Sequence, residues 1–102
     1  MLEDLTTQFE RSSAAYAAEN DIARDADWFL LKLVEELGEL TQASNRLLGR
    51  GRKRGSSDEE LRLELADETA DVLGHILLFG RHHNLDLAAA ITRKWRFSIG
   101  GE

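Results

Sequence analysis

Not one proline occurs in this chain of 102 residues. Proline stops helices because it lacks an amide donor and its ring clashes with the preceding turn. A chain without it can run helices as long as its apolar pattern allows. Leucine (17) and alanine (12) dominate, whereas valine and isoleucine together number 6. The first pair favours helix and the second strand. The expectation is an all-α fold in one domain, residues 1–102. No internal repeat of solenoid length is visible.

Charge and cysteine content narrow the function classes. Lys and Arg number 13 against 19 Asp and Glu, a formal net charge of −6. A nucleic-acid binder usually carries the opposite excess, so none is expected as a partner. Zero Cys removes disulfide scaffolds, thiolate zinc sites and thiol nucleophiles. The apolar runs are far too short to span a membrane, and no basic start followed by an apolar stretch suggests a leader. The expected setting is cytoplasmic.

Helical spacing sets out four segments. In the first, Leu2 to Glu19, Leu2, Leu5, Phe9 and Tyr16 recur at helical intervals. A polar connection follows, with Asp25 or Asp27 as the next cap, so residues 1–26 read as N-terminal helix and linker. The second helix, about Asp27 to Leu48, carries Leu30, Leu33, Leu37 and Leu40 at 3-4-3 spacing, a bundle seam. Residues 49–57 hold three Gly and four cations in their first seven positions, an exposed mobile loop. Ser57 and Glu60 form a capping box for a third helix reaching about Arg81. A short fourth helix runs from near Asp86 to about Trp95, and 97–102 is a tail.

The acidic residues do not keep to the polar faces. At 100° per residue, Glu36 lies on the shoulder of the Leu33 stripe, Glu39 sits beside it one turn on, and Glu35 points away. On the third helix, Leu61, Leu65, Val72, Ile76 and Phe79 make an apolar stripe, and Glu68 falls inside it. Glu64, Glu68, Asp71 and His75 form one line beside that stripe. Buried bare carboxylates must neutralise, pair or bind a cation. No matching stripe of Lys or Arg offers itself, although Lys32 can pair Glu35 or Glu36. Two helices joined by such a loop are antiparallel neighbours, which sets Glu36/Glu39 opposite Glu68/Asp71. Oxygen donors of this kind suit Mg²⁺ or Mn²⁺. A solvated acidic face is the competing reading, and geometry alone leaves both open. Gly38 and Gly74 cost roughly 1 kcal/mol each inside a helix, which a close approach would offset.

At these residues the chain resembles a known family. Leu31-Lys-Leu-Val-Glu35-Glu36-Leu-Gly-Glu39-Leu, followed by Glu68-Thr-Ala-Asp71-Val-Leu, is similar to the Glu-Glu-x-x-Glu, spacer, Glu-x-x-Asp motif of the MazG-like all-α nucleoside triphosphate pyrophosphohydrolases. Here 28 residues separate Glu39 from Glu68, and the likeness covers about residues 28 to 95. It implies a four-helix-bundle-type subunit that assembles into a dimer or tetramer. It implies Mg²⁺ (Mn²⁺ as a substitute) held by Glu36, Glu39, Glu68 and Asp71, with Glu35 as an extra ligand or the residue orienting the attacking water. It implies cleavage between the α and β phosphates of a nucleotide, giving a monophosphate and pyrophosphate. One departure is the last helix, where Lys94 is followed by Trp95, Arg96 and Phe97 without the Asn of many members. His75 matches a sister family, the phosphoribosyl-ATP pyrophosphohydrolases, which stand as the runner-up.

Other residues take secondary places. Trp28 is a candidate to stack on a base, with core packing as the plainer role. Lys32 and Lys94 are candidate phosphate contacts, as is Arg96, against ordinary ion-pair or helix-end roles. The Arg50–Arg54 loop either solvates or closes over a triphosphate. Adjacent His82 and His83 point in different directions and are set aside as ligands. The third helix also carries Leu63, Ala66, Ala70, Leu73 and Leu77 opposite its first stripe. Two apolar faces on one helix predict a homo-oligomer. A non-catalytic helical module with an acidic groove is the reading from another class.

Overall fold

The computed structural model describes residues 1–51 and 55–99. Arg52, Lys53 and Arg54, the basic centre of the expected loop, and the end of the expected tail lie outside the described residues. Among the described residues the chain is all-α, with four helices and no strand. These are α1 (Leu2–Glu19), α2 (Trp28–Leu47), α3 (Asp58–His82) and α4 (Leu87–Trp95).

The caps account for the boundaries. Asp25, not Asp27, starts α2, its carboxylate accepting from the Trp28 amide at 3.1 Å. The capping box forms as expected: the Ser57 amide donates to Glu60 at 2.9 Å, and the Glu60 amide to the Ser57 hydroxyl at 3.1 Å. Asp86 caps α4 by accepting from Ala89 at 3.0 Å. That helix ends on Arg96 in the left-handed region, φ 65°.

Two compact units are present. The first comprises residues 1–29 and 77–102, and the second residues 30–76. In the first, the inward residues of α1 are Leu2, Thr6, Phe9, Glu10, Ser13, Ala14 and Ala17. Leu5 and Tyr16, expected inside, are exposed. The seam therefore brings in Glu10 and Ser13, and both are answered by Arg24. The Arg24 guanidinium donates to both Glu10 oxygens at 2.9 and 2.7 Å and to Ser13 at 3.1 Å. It also lies over the buried Phe29 ring, 5.3 Å from the centroid, and that ring stacks on His82 at 4.4 Å. Arg81 adds a 3.7 Å ion pair to Glu10. In the same unit Gly80 is buried against α4, where a Cβ would stand 2.8 Å from Leu87 Cδ1. At Gly80 a close approach therefore requires the missing side chain.

In the second unit α2 and α3 run antiparallel. Arg46, late in α2, pairs with Glu64, early in α3, whereas Glu36 meets His75 at the other end. Leu61 and Ala43 are each 1% exposed and are its most buried side chains. Burying a leucine like Leu61 contributes roughly 1.5–3 kcal/mol.

The expected seam of α2 is shifted. Leu30 and Leu37 are exposed, along with Leu31 and Val34. The inward residues are Leu33, Glu36, Leu40, Ala43 and Leu47. Their 3-4-3-4 spacing runs one step round the helix from the leucine seam, so a glutamate occupies an inward position. On α3 the first stripe is inward at Leu61, Leu65 and Val72 but exposed at Ile76. Of the second stripe, Leu63, Ala66, Ala70 and Leu73 are exposed. Leu77, in the first unit, is buried together with Leu78. Gly38 has open space: nothing lies within 4 Å of where its Cβ would be. The expected close approach there is absent among the described residues, because Gly38 sits on the exposed side of α2.

Candidate metal centre

The acids of the second unit fall into two sets that share one member. Ligand atoms of Glu35, Glu36 and Glu39 lie within 4.8 Å of one another, as do those of Glu36, Glu68 and Asp71. The first set comes from consecutive turns of α2. The second crosses between the helices, with Glu36 reaching from α2 to an i, i+3 pair on α3. All five acids named from the sequence are thus brought together, through Glu36.

Glu36 is the buried member, 8% exposed. Its Oε2 and the Oε2 of Glu68 are buried and meet no hydrogen-bond donor among the described residues. Burial pushes the Glu36 carboxyl up to about 7, helped by the Glu39 carboxyl beside it and the charge of Asp71, with Lys32 opposing. Burial also raises Glu68, with Glu39 and Asp71 adding to it and Arg46 working against it. His75 is pushed down, first by burial and then by Lys32, against the pull of Asp71 and Glu35. Its Nε2 lies 3.9 Å from Glu36 Oε1, with its side chain 17% exposed.

Comparison with Glu10 shows what is unusual here. Both glutamates occupy inward positions of their helices. Glu10 receives a two-pronged guanidinium, and the Arg24 hydrogen bond holds its carboxyl below the usual range despite burial. Among the described residues Glu36 receives no guanidinium, and its carboxyl moves the opposite way. A carboxylate buried without a donor costs free energy that this sequence demonstrably knows how to avoid.

The remaining expected residues are placed as follows. Glu35 is exposed, its side chain 60% accessible, and pairs with Lys32 at 3.2 Å. Burial works against the charge on Lys32, but the Glu35 hydrogen bond and the charges of Glu35, Glu36 and Glu39 outweigh it and raise its pKa. Lys32 is thus the internal counter-cation of the α2 acids. Glu64, read from the sequence as part of the acidic line, is taken up by Arg46. The expectation that no cation matches the α3 acids is corrected to that extent, since Arg46 lies three turns along α2 from Glu36. Trp28 and Lys94 both belong to the first unit. Trp28 is half-buried and meets Phe29 edge-on at 5.1 Å. Lys94 is exposed in the last turn of α4. Neither belongs to either acidic set.

A groove of about 550 Å³ in the first unit is lined by Leu2, Thr6, Leu77, Arg81, Leu85 and Leu87 among others, and by none of these acids. It is open to solvent and lined half by polar atoms, whereas the acids hold donor-free buried oxygens, so chemistry favours the acids. The residue missed by reading the sequence for a metal site is the Glu36–His75 contact across helices; His75 was placed on the acidic line, but its partner was not foreseen.

No family model, curated protein or solved structure matches this chain.

The donor set fits a hard divalent ion. Four carboxylates from two helices, two of them with buried oxygens lacking any donor, are the oxygen ligands that Mg²⁺ and Mn²⁺ prefer. The outer acids Glu39 and Asp71 are exposed, so water can complete the coordination shell.

Proposed function

We propose that this chain is a divalent-cation-dependent nucleotide pyrophosphohydrolase. It cleaves a nucleoside triphosphate between the α and β phosphates, and releases a monophosphate and pyrophosphate. The observation that carries the reading is Glu36, an inward carboxylate with an oxygen that meets no donor, shared between two acidic sets. The resemblance of the Glu35–Glu39 and Glu68–Asp71 segments to the MazG-like motif supplies the reaction.

Glu36, Glu39, Glu68 and Asp71 would hold Mg²⁺, or Mn²⁺ in its place. The ion supplies neutralisation of the polyphosphate and activation of a bound water. The chain's own residues do the rest. Glu36 and Glu68 offer buried carboxylate oxygens whose negative charge a cation would compensate, leaving that cation to draw in the anionic phosphates. Glu35, exposed and paired with Lys32, would orient a water and accept its proton. When Glu35 takes that role, Lys32 is the nearest cation to meet a phosphate oxygen. Trp28 and Lys94 remain candidates for base and phosphate contacts.

The exposed apolar residues of the second unit, Leu30, Val34 and Leu37 on α2 and Leu63 and Leu73 on α3, support self-association into a dimer or tetramer. Light scattering at micromolar concentration should give at least twice the monomer mass, and a monomer would refute the assembly. No helix among the described residues is long and apolar enough to cross a membrane. A cytoplasmic setting fits the proposed substrate.

The position of His75, four residues after Asp71, resembles the sister family and supports a second reading, in which the substrate is phosphoribosyl-ATP. One assay separates the readings. The chain is incubated with ribo- and deoxynucleoside triphosphates, and with phosphoribosyl-ATP, in the presence of Mg²⁺, and pyrophosphate release is measured. Release from triphosphates that is abolished by Glu36→Gln and by Asp71→Asn supports the proposal. Release from phosphoribosyl-ATP alone supports the second reading. Inactivity on every substrate leaves a non-catalytic module.

A further inference from the structure

The two oxygens of Glu36 keep different company. Oε1 faces the Nε2 of His75 at 3.9 Å, whereas Oε2 is buried and meets no donor. Glu36 is also the one residue common to both acidic sets. Its side chain can serve the α2 set with Glu35 and Glu39, or bridge to Glu68 and Asp71 on α3. A carboxylate with that choice needs something to select the geometry.

His75 is placed to do so. It lies one turn beyond Asp71 on α3, so Glu68, Asp71 and His75 follow each other at 3-4 spacing on one face. It is outside both sets of mutually close ligand atoms, so it contacts an acid without joining the donors. At 3.9 Å the contact is in ion-pair range but too long for a hydrogen bond. Closing it by about 1 Å would give a charge-assisted bond at the usual 2.7–2.9 Å. Such closure is common when a site takes up its ligand.

We infer that His75 is a positioning residue: its Nε2–H holds Glu36 by Oε1 and so commits Oε2 to a cation shared with Glu68 and Asp71. The inference rests on the cation-binding part of the proposed function and names the residue that selects the cross-helix ligand set. Ligating carboxylates are commonly fixed by such a donor, and losing it typically weakens metal binding about 10–100-fold.

The test measures binding of Mg²⁺ and of Mn²⁺ alone by titration calorimetry, on the full chain at pH 8, for wild type, His75→Gln and His75→Leu. Thermal melts in EDTA accompany each. The Gln amide nitrogen can donate from a similar position, whereas Leu has no donor. His75→Gln should bind within about 3-fold of wild type, and His75→Leu should bind about 10–100-fold more weakly. His75→Leu should melt in EDTA no lower than His75→Gln, which a purely structural role for His75 does not predict. If His75→Leu is unfolded at the assay temperature, His75→Met, which is flexible and apolar, takes its place under the same threshold. Equal binding by the apolar variant and wild type overturns the inference, as does an equal loss in His75→Gln. A wild-type chain that binds neither ion overturns the cation site itself, a result distinct from either of those.

Discussion

Removing the charge of Glu36 should make the metal-free protein more stable while destroying its response to cations. Glu36→Gln keeps the shape of the side chain and replaces a carboxylate that is 8% exposed. The carboxyl has been pushed up from 4.5 to about 7, first by burial and then by Glu39. A raised carboxyl is easier to protonate in the fold than in the unfolded chain. Its contribution is therefore fully present below 4.5 and lost as pH rises through about 7. At pH 8 the ionised Glu36 then costs on the order of 3 kcal/mol. The Gln amide removes that cost but brings its own buried polar atoms, at about 1–3 kcal/mol if they find no partner. The net gain expected in EDTA at pH 8 is on the order of 1 kcal/mol, a rise of about 4–8 °C in melting temperature for a chain this size.

At pH 5 the wild-type carboxyl is already protonated, so the gain should vanish or reverse. With Mg²⁺ at about 100 times its dissociation constant, wild type should gain about 2.7 kcal/mol and overtake the variant, which should respond weakly. The assay is thermal or urea denaturation of both proteins at pH 5 and 8, in EDTA and in Mg²⁺. A variant that is destabilised equally at both pH values in EDTA would show that Glu36 is held by ordinary packing and polar contacts. The argument for a cation site would then fail at its base.

Three further outcomes follow from other parts of the molecule. Urea midpoints of the metal-free wild type should fall between pH 4.5 and about 7 as Glu36 ionises, and Glu68, also raised, should add to the fall. His75, lowered by burial, contributes stability above 6.5 that is lost as pH falls, so Glu36→Gln should expose a shallow slope of the opposite sign. Arg24→Met should cost about 2 kcal/mol, since it leaves the part-buried Glu10 carboxylate with only the longer Arg81 pair. Because Glu10 is lowered in the fold, wild type should lose this contribution on acidification while the variant does not, and parallel acid titrations of the two would contradict the pairing. Gly38→Ala should raise stability by about 1 kcal/mol, because nothing in this chain meets the added methyl. A loss in circular-dichroism melts instead would mean that a second copy packs on that face.

The helices, their order and two of their caps were legible from leucine and alanine content, the capping box at Ser57 and the Asp86 start, because these depend on local chemistry. The inward register was not. Leucines at 30, 33, 37 and 40 and at 2 and 5 imply seams that the chain uses only in part, since Leu5, Leu30 and Leu37 are exposed and Glu10 and Glu36 are inward. A wheel drawn on apolarity alone seeks the face that would be buried in any surroundings. The proposed self-association, if it covers a second apolar face, would break that assumption. The exposed Leu30, Val34 and Leu37 flank is the kind of surface such a reading would mistake for the core. Glu68 in the α3 stripe was legible because a single helix contains both the stripe and the intruder. The partner of Glu64 was not, because Arg46 sits on the other helix, and a pairing that depends on antiparallel register cannot be read from one helix at a time.

The same limit explains why Glu36 carries more weight in three dimensions than in the sequence. On α2 alone it is a shoulder residue beside Lys32, and Lys32 could have neutralised it. In the structure Lys32 hydrogen-bonds Glu35 instead, and Glu36 turns toward Glu68, Asp71 and His75. Buried oxygens of Glu36 and Glu68, the exposed Asp71 and one imidazole then meet in one space, while Arg46, also on α2, is engaged by Glu64. Protonation can quiet that space near neutral pH, and a divalent ion can do so at any pH where the acids are ionised. A fold that wanted only stability would place an arginine there, as it does at Glu10. The exception at Glu36 is what supports the proposal of a cation at this site.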